Sequence, residues 1–248
     1  MRHDPIDQAR RLVQERFPGA LAVVLAGSTV SGRATASSDL DLAVLVASGG
    51  ETYRETLHFE GRVVELFVHT RAGLRDLFAV DADTRRAVLQ SMYATGLVLV
   101  DVDGEAGRAR ALAEEDLRRG PAALGPDVVE TKRYGLTDAL DDLRDATDPF
   151  ERLAVAGFVV TTAADLLCDH HRAWTGSGKW LPRRLLEADP SRGTALLEAH
   201  ARLGASQDPA PLVEAASEIL DLAGGPLRGG YRRVWQGVIE SVATGAGR

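Results

Sequence analysis

The sequence predicts an α+β protein: a mixed β-sheet with helices packed on it in roughly the first hundred residues, then an all-α helical bundle. Three observations carry this. Apolar runs of strand length recur at 21–26, 40–46, 62–68 and 97–101. Gly120-Pro121 and Gly125-Pro126 punctuate the chain twice within a few residues. Beyond them the apolar period changes from that of strands to that of helices.

In chain order, 5–17 reads as an amphipathic helix with Ile6, Leu12, Val13 and Phe17 on its apolar side, ended by Pro18-Gly19. Strands follow at 21–26 and 40–46. Gly49-Gly50 opens a loop. Strands at 52–59 and 62–68 meet at a turn containing Glu60-Gly61. Helices are expected at 71–80 and 84–95, and a strand at 97–101 completes the sheet. A helix at 111–119 sits in a boundary zone. Then 127–146, 150–174, 181–188, 191–203 and 211–222 read as helices, several with proline near their starts, where it is tolerated. A last helix is expected from Tyr231 to Val242. The domain division is therefore 1–103 for the sheet domain, 104–126 for the boundary and 127–248 for the helical domain.

The chain of 248 residues is 45 % hydrophobic, enough for two cores, and carries a net charge of −7. That acidic balance argues against a general nucleic-acid binder, which shows a basic footprint. A lone cysteine, Cys168, excludes an internal disulfide and reads as a small core residue. The sequence shows no signal peptide and no membrane-spanning run, so a soluble cytoplasmic protein is expected.

The most informative stretch runs from Gly27 to Leu42. An apolar run feeds Gly27-Ser28, ten residues separate Ser28 from Asp39, and Asp39-Leu40-Asp41-Leu42 enters the next strand. Residues i and i+2 of a strand share a face, so Asp39 and Asp41 point the same way, close enough to share a divalent cation. Mg²⁺ sites join one or two carboxylates to substrate phosphates. The Gly-Ser turn supplies close backbone approach, N–H donors and a hydroxyl for those phosphates. The competing reading, a hairpin with two solvent-facing aspartates, leaves the Gly-Ser turn and Ser37-Ser38 unexplained.

This constellation resembles the nucleotidyltransferase superfamily, the polymerase-beta-like fold, whose pattern is Gly-Ser, a spacer of about ten residues and Asp-x-Asp. The resemblance covers about residues 20 to 70. It implies a polymerase-beta-like sheet domain, Mg²⁺ as the metal, and ATP or another nucleoside triphosphate as co-substrate. It also implies nucleotide contacts from Gly27, Ser28 and Ser38, with Ser38 orienting the metal loop. The family pattern wants a third carboxylate on a neighbouring strand. The candidate is Glu65, which shares a face with Val63 and Phe67, where a charge is costly unless paired, hydrogen-bonded or metal-bound. Its competing reading is an edge position, or an ion pair to Arg62 or another arginine. Glu60, at a turn, and Asp76, on a surface helix, are weaker rivals. Arg33, in the spacer, reads as a surface arginine.

A sheet domain followed by a helical bundle is also similar, in architecture alone, to two-domain antibiotic nucleotidyltransferases of the aminoglycoside and lincosamide kinds. In such relatives the helical domain often lends a basic residue to the nucleotide. Lys179, in the segment Trp174-Thr175-Gly176-Ser177-Gly178-Lys179-Trp180, is the candidate here, as a point charge on the triphosphate. The segment is not a Walker A loop, since Trp180 stands where Ser or Thr is required. Its competing reading is an interhelical loop with both tryptophans in the core.

Asp138, Asp141, Asp142 and Asp145 fall at helical spacing on one side of 127–146. They read either as a solvated face or as an electronegative wall for a cationic acceptor. Glu65, Glu130 and Asp138 are the candidates for taking a proton from an acceptor hydroxyl, and the residues do not choose among them. His170-His171 are neighbours on a helix, so their side chains diverge, and no Cys/His spacing suits zinc.

The expected activity is Mg²⁺-dependent transfer of a nucleoside monophosphate, AMP from ATP, to a hydroxyl of a small molecule such as an aminoglycoside-like antibiotic. The partners are a nucleoside triphosphate and that acceptor, with neither nucleic acid nor membrane; the oligomeric state is not legible. The alternatives are a protein AMPylator of antitoxin type, against which the fused helical half argues, and a non-catalytic nucleotide-binding module, which has no need of a full acidic triad.

Overall fold

The structure is a computed structural model that describes residues 4–35 and 37–234. The chain divides into two compact units, Met1–Ala122 and Ala123–Arg248.

The first unit contains α1 (Pro5–Arg16), β1 (Ala22–Ala26), β2 (Leu40–Leu45), β3 (Tyr53–Phe59), β4 (Arg62–His69), α2 (Arg71–Asp83), α3 (Val88–Thr95), β5 (Leu97–Asp101) and α4 (Glu105–Arg119). Its strands form one mixed sheet in the order β3-β4-β2-β1-β5. Only β2 and β4 are parallel; the other neighbours run antiparallel.

Each face of the sheet follows from alternation along its strands. On one face Val23, Leu25, Leu40, Leu42, Val44, Val64, Leu66 and Val68 pack with Leu12 and Val13 of α1. On the other, the small side chains of Ala26 and Ala43 lie with Val24 among residues of α2, α3 and α4, including Leu74, Phe78, Tyr93 and Ala109. The β3–β4 hairpin turns on Glu60 and Gly61, both at positive φ (47° and 78°), the signature of a two-residue turn that suits the strand twist.

Helix ends depart from the sequence expectation for local reasons. The helix α2 continues to Asp83. The helix α3 starts at Val88 rather than 84, because Arg85 and Ala87 adopt positive φ and Asp81 Oδ2 accepts from Leu89 N–H at 2.8 Å. The helix α4 begins at Glu105, six residues before the expected 111. Its buried Ala106, Ala109 and Ala113 pack into the first unit, so much of the expected boundary zone belongs to the sheet side.

The second unit is helical: α5 (Pro126–Asp145), α6 (Pro149–His170), α7 (Trp180–Ala188), α8 (Pro190–Ser206) and α9 (Ala210–Leu222). Its core joins Leu136, Leu140 and Leu143 to Val159, Ala163 and Leu167 of α6, and to Leu185, Leu196, Leu203, Leu212 and Ile219. Asp148 caps α6 by accepting from Phe150 and Glu151 N–H. The helix stops at His170, not 174, since Arg172 turns to φ 54°.

By length and hydropathy α6 is apolar enough to cross a membrane, contrary to the expectation that no such run is present. Half of that window is buried inside the protein. Val159, Ala163 and Leu167 face the bundle core, whereas Phe150, Leu153 and Phe158 of the same helix are exposed. Of the helix expected from Tyr231 to Val242, residues 231–234 carry no regular secondary structure and the remainder lies outside the described residues.

Candidate active site

The site begins where β1 ends. Gly27 follows Ala26 at φ +74°, and a Cβ built there would lie 1.9 Å from Asp41 Oδ2. Two demands therefore meet at one residue: a left-handed backbone and a close approach of carboxylate to main chain. Glycine alone meets both. The turn is closed by Ser31 N–H to Gly27 O (3.2 Å) and Arg33 N–H to Ser28 O (3.0 Å). Ser28 is half-buried and Arg33 exposed. Thr29 Oγ1 is buried with no hydrogen-bond partner among the described residues.

Strand pairing then assembles three acids. Asp41 pairs with Ala26 across the antiparallel β1–β2 ladder, and with Glu65 across the parallel β2–β4 ladder. Residues directly paired share a face, so Asp41 and Glu65 emerge together on the side of Ala26 and Ala43, and Asp39, two residues before Asp41, joins them. One oxygen from each of Asp39, Asp41 and Glu65 lies within 4.8 Å of the others, and all three side chains are half-buried. Among the described residues no other group of three or more His, Cys, Asp or Glu side chains converges in this way. All donors are carboxylate oxygens, the set that hard cations such as Mg²⁺ prefer, and no sulfur or imidazole competes.

The supports of this cluster are legible in hydrogen bonds. Ser38 Oγ accepts from Thr35 N–H at 2.8 Å, which shapes the segment leading into Asp39. Arg62 Nη1 donates to Ser38 O at 3.0 Å and its Nε to Gln8 Oε1 at 3.1 Å. Gln8, buried on α1, in turn donates to Phe59 O and Glu60 O. The entry to β2 is thereby tied to α1 and to the hairpin turn. Glu65 does have an arginine partner, but it is Arg54 of β3, whose Nη2 donates to Glu65 Oε2 at 2.7 Å. Arg62 cannot fill that role, because a separation of three along a strand puts it on the opposite face. Arg54 was missed in the sequence. Counting outward from the Glu60-Gly61 turn would have found it, since that turn pairs Phe59 with Arg62 and hence Arg54 with Phe67.

The same face of β4 ends at His69, fully buried, with Nε2 2.7 Å from the hydroxyl of Tyr93. Burial pulls its pKa from 6.5 down to about 4, so the ring is neutral at pH 7. Glu60 lies apart from the cluster and forms a two-point ion pair with Arg11, and Asp76 is exposed on α2.

The sequence-predicted residues of the second unit are placed differently. Lys179 is exposed and precedes α7. Trp174 is buried, but Trp180 is 41 % exposed and carries Arg183 and Arg184 over its ring. Only one tryptophan of that segment is thus in the core. On α5, Glu130 and Asp138 are exposed, whereas Asp141 pairs with Arg144 and with Arg228. The segment after α9 lies along this helix: Arg133 donates to Gly224 O and Gly225 O, Leu227 N–H donates to Thr137 Oγ1, and Tyr231 stacks on Tyr134 at 4.2 Å. His170 and His171 do not diverge as expected; their rings meet edge to face at 5.0 Å, with His171 Nε2 3.3 Å from Asp189.

Residues 6–87 match the family model for the nucleotidyltransferase domain. No curated protein matches the chain. Among solved structures, a nucleotidyltransferase-like protein from Exiguobacterium sibiricum 255-15 is similar at 12 % identity, over 88 % of this chain and 74 % of its own, with a TM-score of 0.42. The matched span reaches from α1 to just before α3 and holds the Gly27-Ser28 turn, Asp39, Asp41 and Glu65. The first unit therefore contains a nucleotidyltransferase domain.

Proposed function

We propose that the protein moves a nucleoside monophosphate, AMP from ATP, to a hydroxyl of a small molecule in a Mg²⁺-dependent reaction. The observation that supports this most is the convergence of Asp39, Asp41 and Glu65 beside a glycine turn that leaves no room for a Cβ. Those three carboxylates would hold the metal. Bound divalent cations would supply charge neutralisation and alignment of attacking and leaving oxygens.

The chain's own groups do the rest. The Gly27-Ser28 turn offers backbone N–H groups and a hydroxyl to the phosphates. Ser38 keeps the segment before Asp39 in shape. Lys179 adds a point charge for the triphosphate. The acceptor oxygen forms a bond to the α-phosphorus, the bond from that phosphorus to pyrophosphate breaks, and the hydroxyl proton passes to a carboxylate, with Glu65, Glu130 and Asp138 as the candidates. Glu130, Asp138 and Asp141 would favour a cationic acceptor of the aminoglycoside kind, and resistance to such a compound would follow from its modification.

The test is a mass spectrum after incubation with ATP, Mg²⁺ and a panel of aminoglycosides and lincosamides. The expected result is an acceptor heavier by one adenylate and the release of pyrophosphate, both lost in Asp39→Asn and Asp41→Asn. An adenylate found on protein instead of on any small acceptor would replace this reading with protein AMPylation.

A further inference from the structure

The contact between Arg54 and Glu65 is not needed for the transfer step, yet it falls on the third acid of the cluster. The sheet puts it there. Thr56 pairs with Glu65 and Arg54 with Phe67, so Arg54 and Glu65 are diagonal neighbours on one face, within reach of a long side chain. The guanidinium is held at two points: its carbon lies 4.8 Å from the centre of the Phe67 ring, and Nη2 donates to Glu65 Oε2 at 2.7 Å. Arg54 is 61 % exposed and stands on an edge strand, whereas Glu65, on β4 inside the sheet, is 25 % exposed.

Three carboxylates with oxygens within 4.8 Å repel one another. Arg54 offsets one of those negative charges and engages one of Glu65's two oxygens. A divalent cation entering the cluster meets the same guanidinium as a charge of its own sign. The triphosphate of a nucleotide brings further negative charge, which makes up the deficit. We infer that Arg54 is a positioning residue that weakens the hold of the acidic cluster on a divalent cation before nucleotide arrives, by occupying one oxygen of Glu65 with a competing positive charge. Metal and nucleoside triphosphate then enter together rather than metal first. This rests on the reading of Asp39, Asp41 and Glu65 as cation ligands.

The test is Mn²⁺ binding to the full-length chain without nucleotide, read from the paramagnetic resonance signal of the free ion. Arg54→Gln should tighten binding about tenfold, the scale of removing one like charge a few ångströms away near a protein surface. Arg54→Lys, which keeps the charge, should stay within about twofold of the parent. If Arg54→Gln does not fold, Arg54→Met, which keeps an apolar stem against Phe67, takes its place. Unchanged or weaker Mn²⁺ binding in the neutral variant overturns the inference, because a role limited to bracing β3 or orienting Glu65 gives that result. The Asp39→Asn and Asp41→Asn chains separate the two levels of the argument. If the parent binds no Mn²⁺ that these variants abolish, the metal-ligand reading falls and the inference with it. If the parent binds through the aspartates but the neutral Arg54 variant shows no tightening, the inference alone falls.

Discussion

The acids of the sheet and the acids of α5 make an instructive pair. Asp41 and Glu65 on two paired strands and Asp39, just before the first of them, are three carboxylates that converge. Asp138, Asp141, Asp142 and Asp145 are four on one helix, and no three of them bring ligand atoms together. Side chains three and four apart on a helix face are neighbours, but at an exposed face like charges are free to turn apart into solvent. Side chains on paired strands stand parallel, so one register places two of them side by side. Of the helix acids, Asp141 instead pairs with Arg144 and Arg228. A dense run of acids is thus a weaker sign of a metal site than two acids two residues apart at the start of a strand beside a parallel neighbour.

The largest effect expected from this contrast concerns the strand acids. Asp39→Asn and Asp41→Asn should each reduce turnover by about a thousandfold, the scale on which loss of one electrostatic stabiliser acts, with the thermal transition little changed. Near-normal turnover in Mg²⁺ would break the contrast at its root.

Gly27→Ala should follow. The new Cβ would collide with Asp41 Oδ2, and the backbone would be held at φ +74° against its preference. Displacing a ligand by about an ångström costs on the order of a hundredfold in rate, and the backbone strain costs roughly 1–3 kcal/mol. Steady-state kinetics with a melting curve would show both, and full activity would mean that the turn and Asp41 are not coupled.

A third expectation concerns His69. Its pKa is about 4 in the folded protein against 6.5 when exposed, so the unfolded chain binds the proton more readily. The associated stability is complete above pH 6.5 and is lost as pH falls through 4. Melting of the whole chain between pH 7 and pH 4 should therefore lose on the order of 3 kcal/mol from this group. His69→Gln should flatten that slope, and an unchanged slope would assign it to other groups.

Smaller effects are expected in the second unit. Lys179→Ala should raise KM for ATP by about fivefold at most, as for an exposed charge. Neutralising Asp138 and Asp141 together should raise KM for a cationic acceptor about two- to fivefold, fading with added salt and leaving KM for ATP unchanged. A loss as large as that of Asp41→Asn would show that the helix acids act in concert after all.

The convergence of the three acids at the candidate site was largely legible in the sequence. Strand period puts the i, i+2 aspartates on one face beside the Gly-Ser turn, and the resemblance to nucleotidyltransferases points to Glu65 as the third carboxylate. Arg54 was not read, although the hairpin turn contains the count that pairs it with Phe67. The start of α4 at Glu105 was not legible, because buried Ala106, Ala109 and Ala113 are too small to give the helix a strong apolar stripe. The partners of Asp141 were not legible either, since Arg228 lies far along the chain.

The sequence by itself determined the alternation of strands and helices, the division into a sheet half and a helical half, and the turn at Gly27. These depend on residues within a few positions of one another, where dihedral preference and period decide the outcome. Tertiary structure alone decided that β2 runs parallel to β4 with Asp41 beside Glu65, and that Trp180 stays at the surface while Trp174 is buried. Each of these depends on register or packing between segments distant in the chain. A shift of one residue in a strand pair would have turned the same side chains to the opposite face.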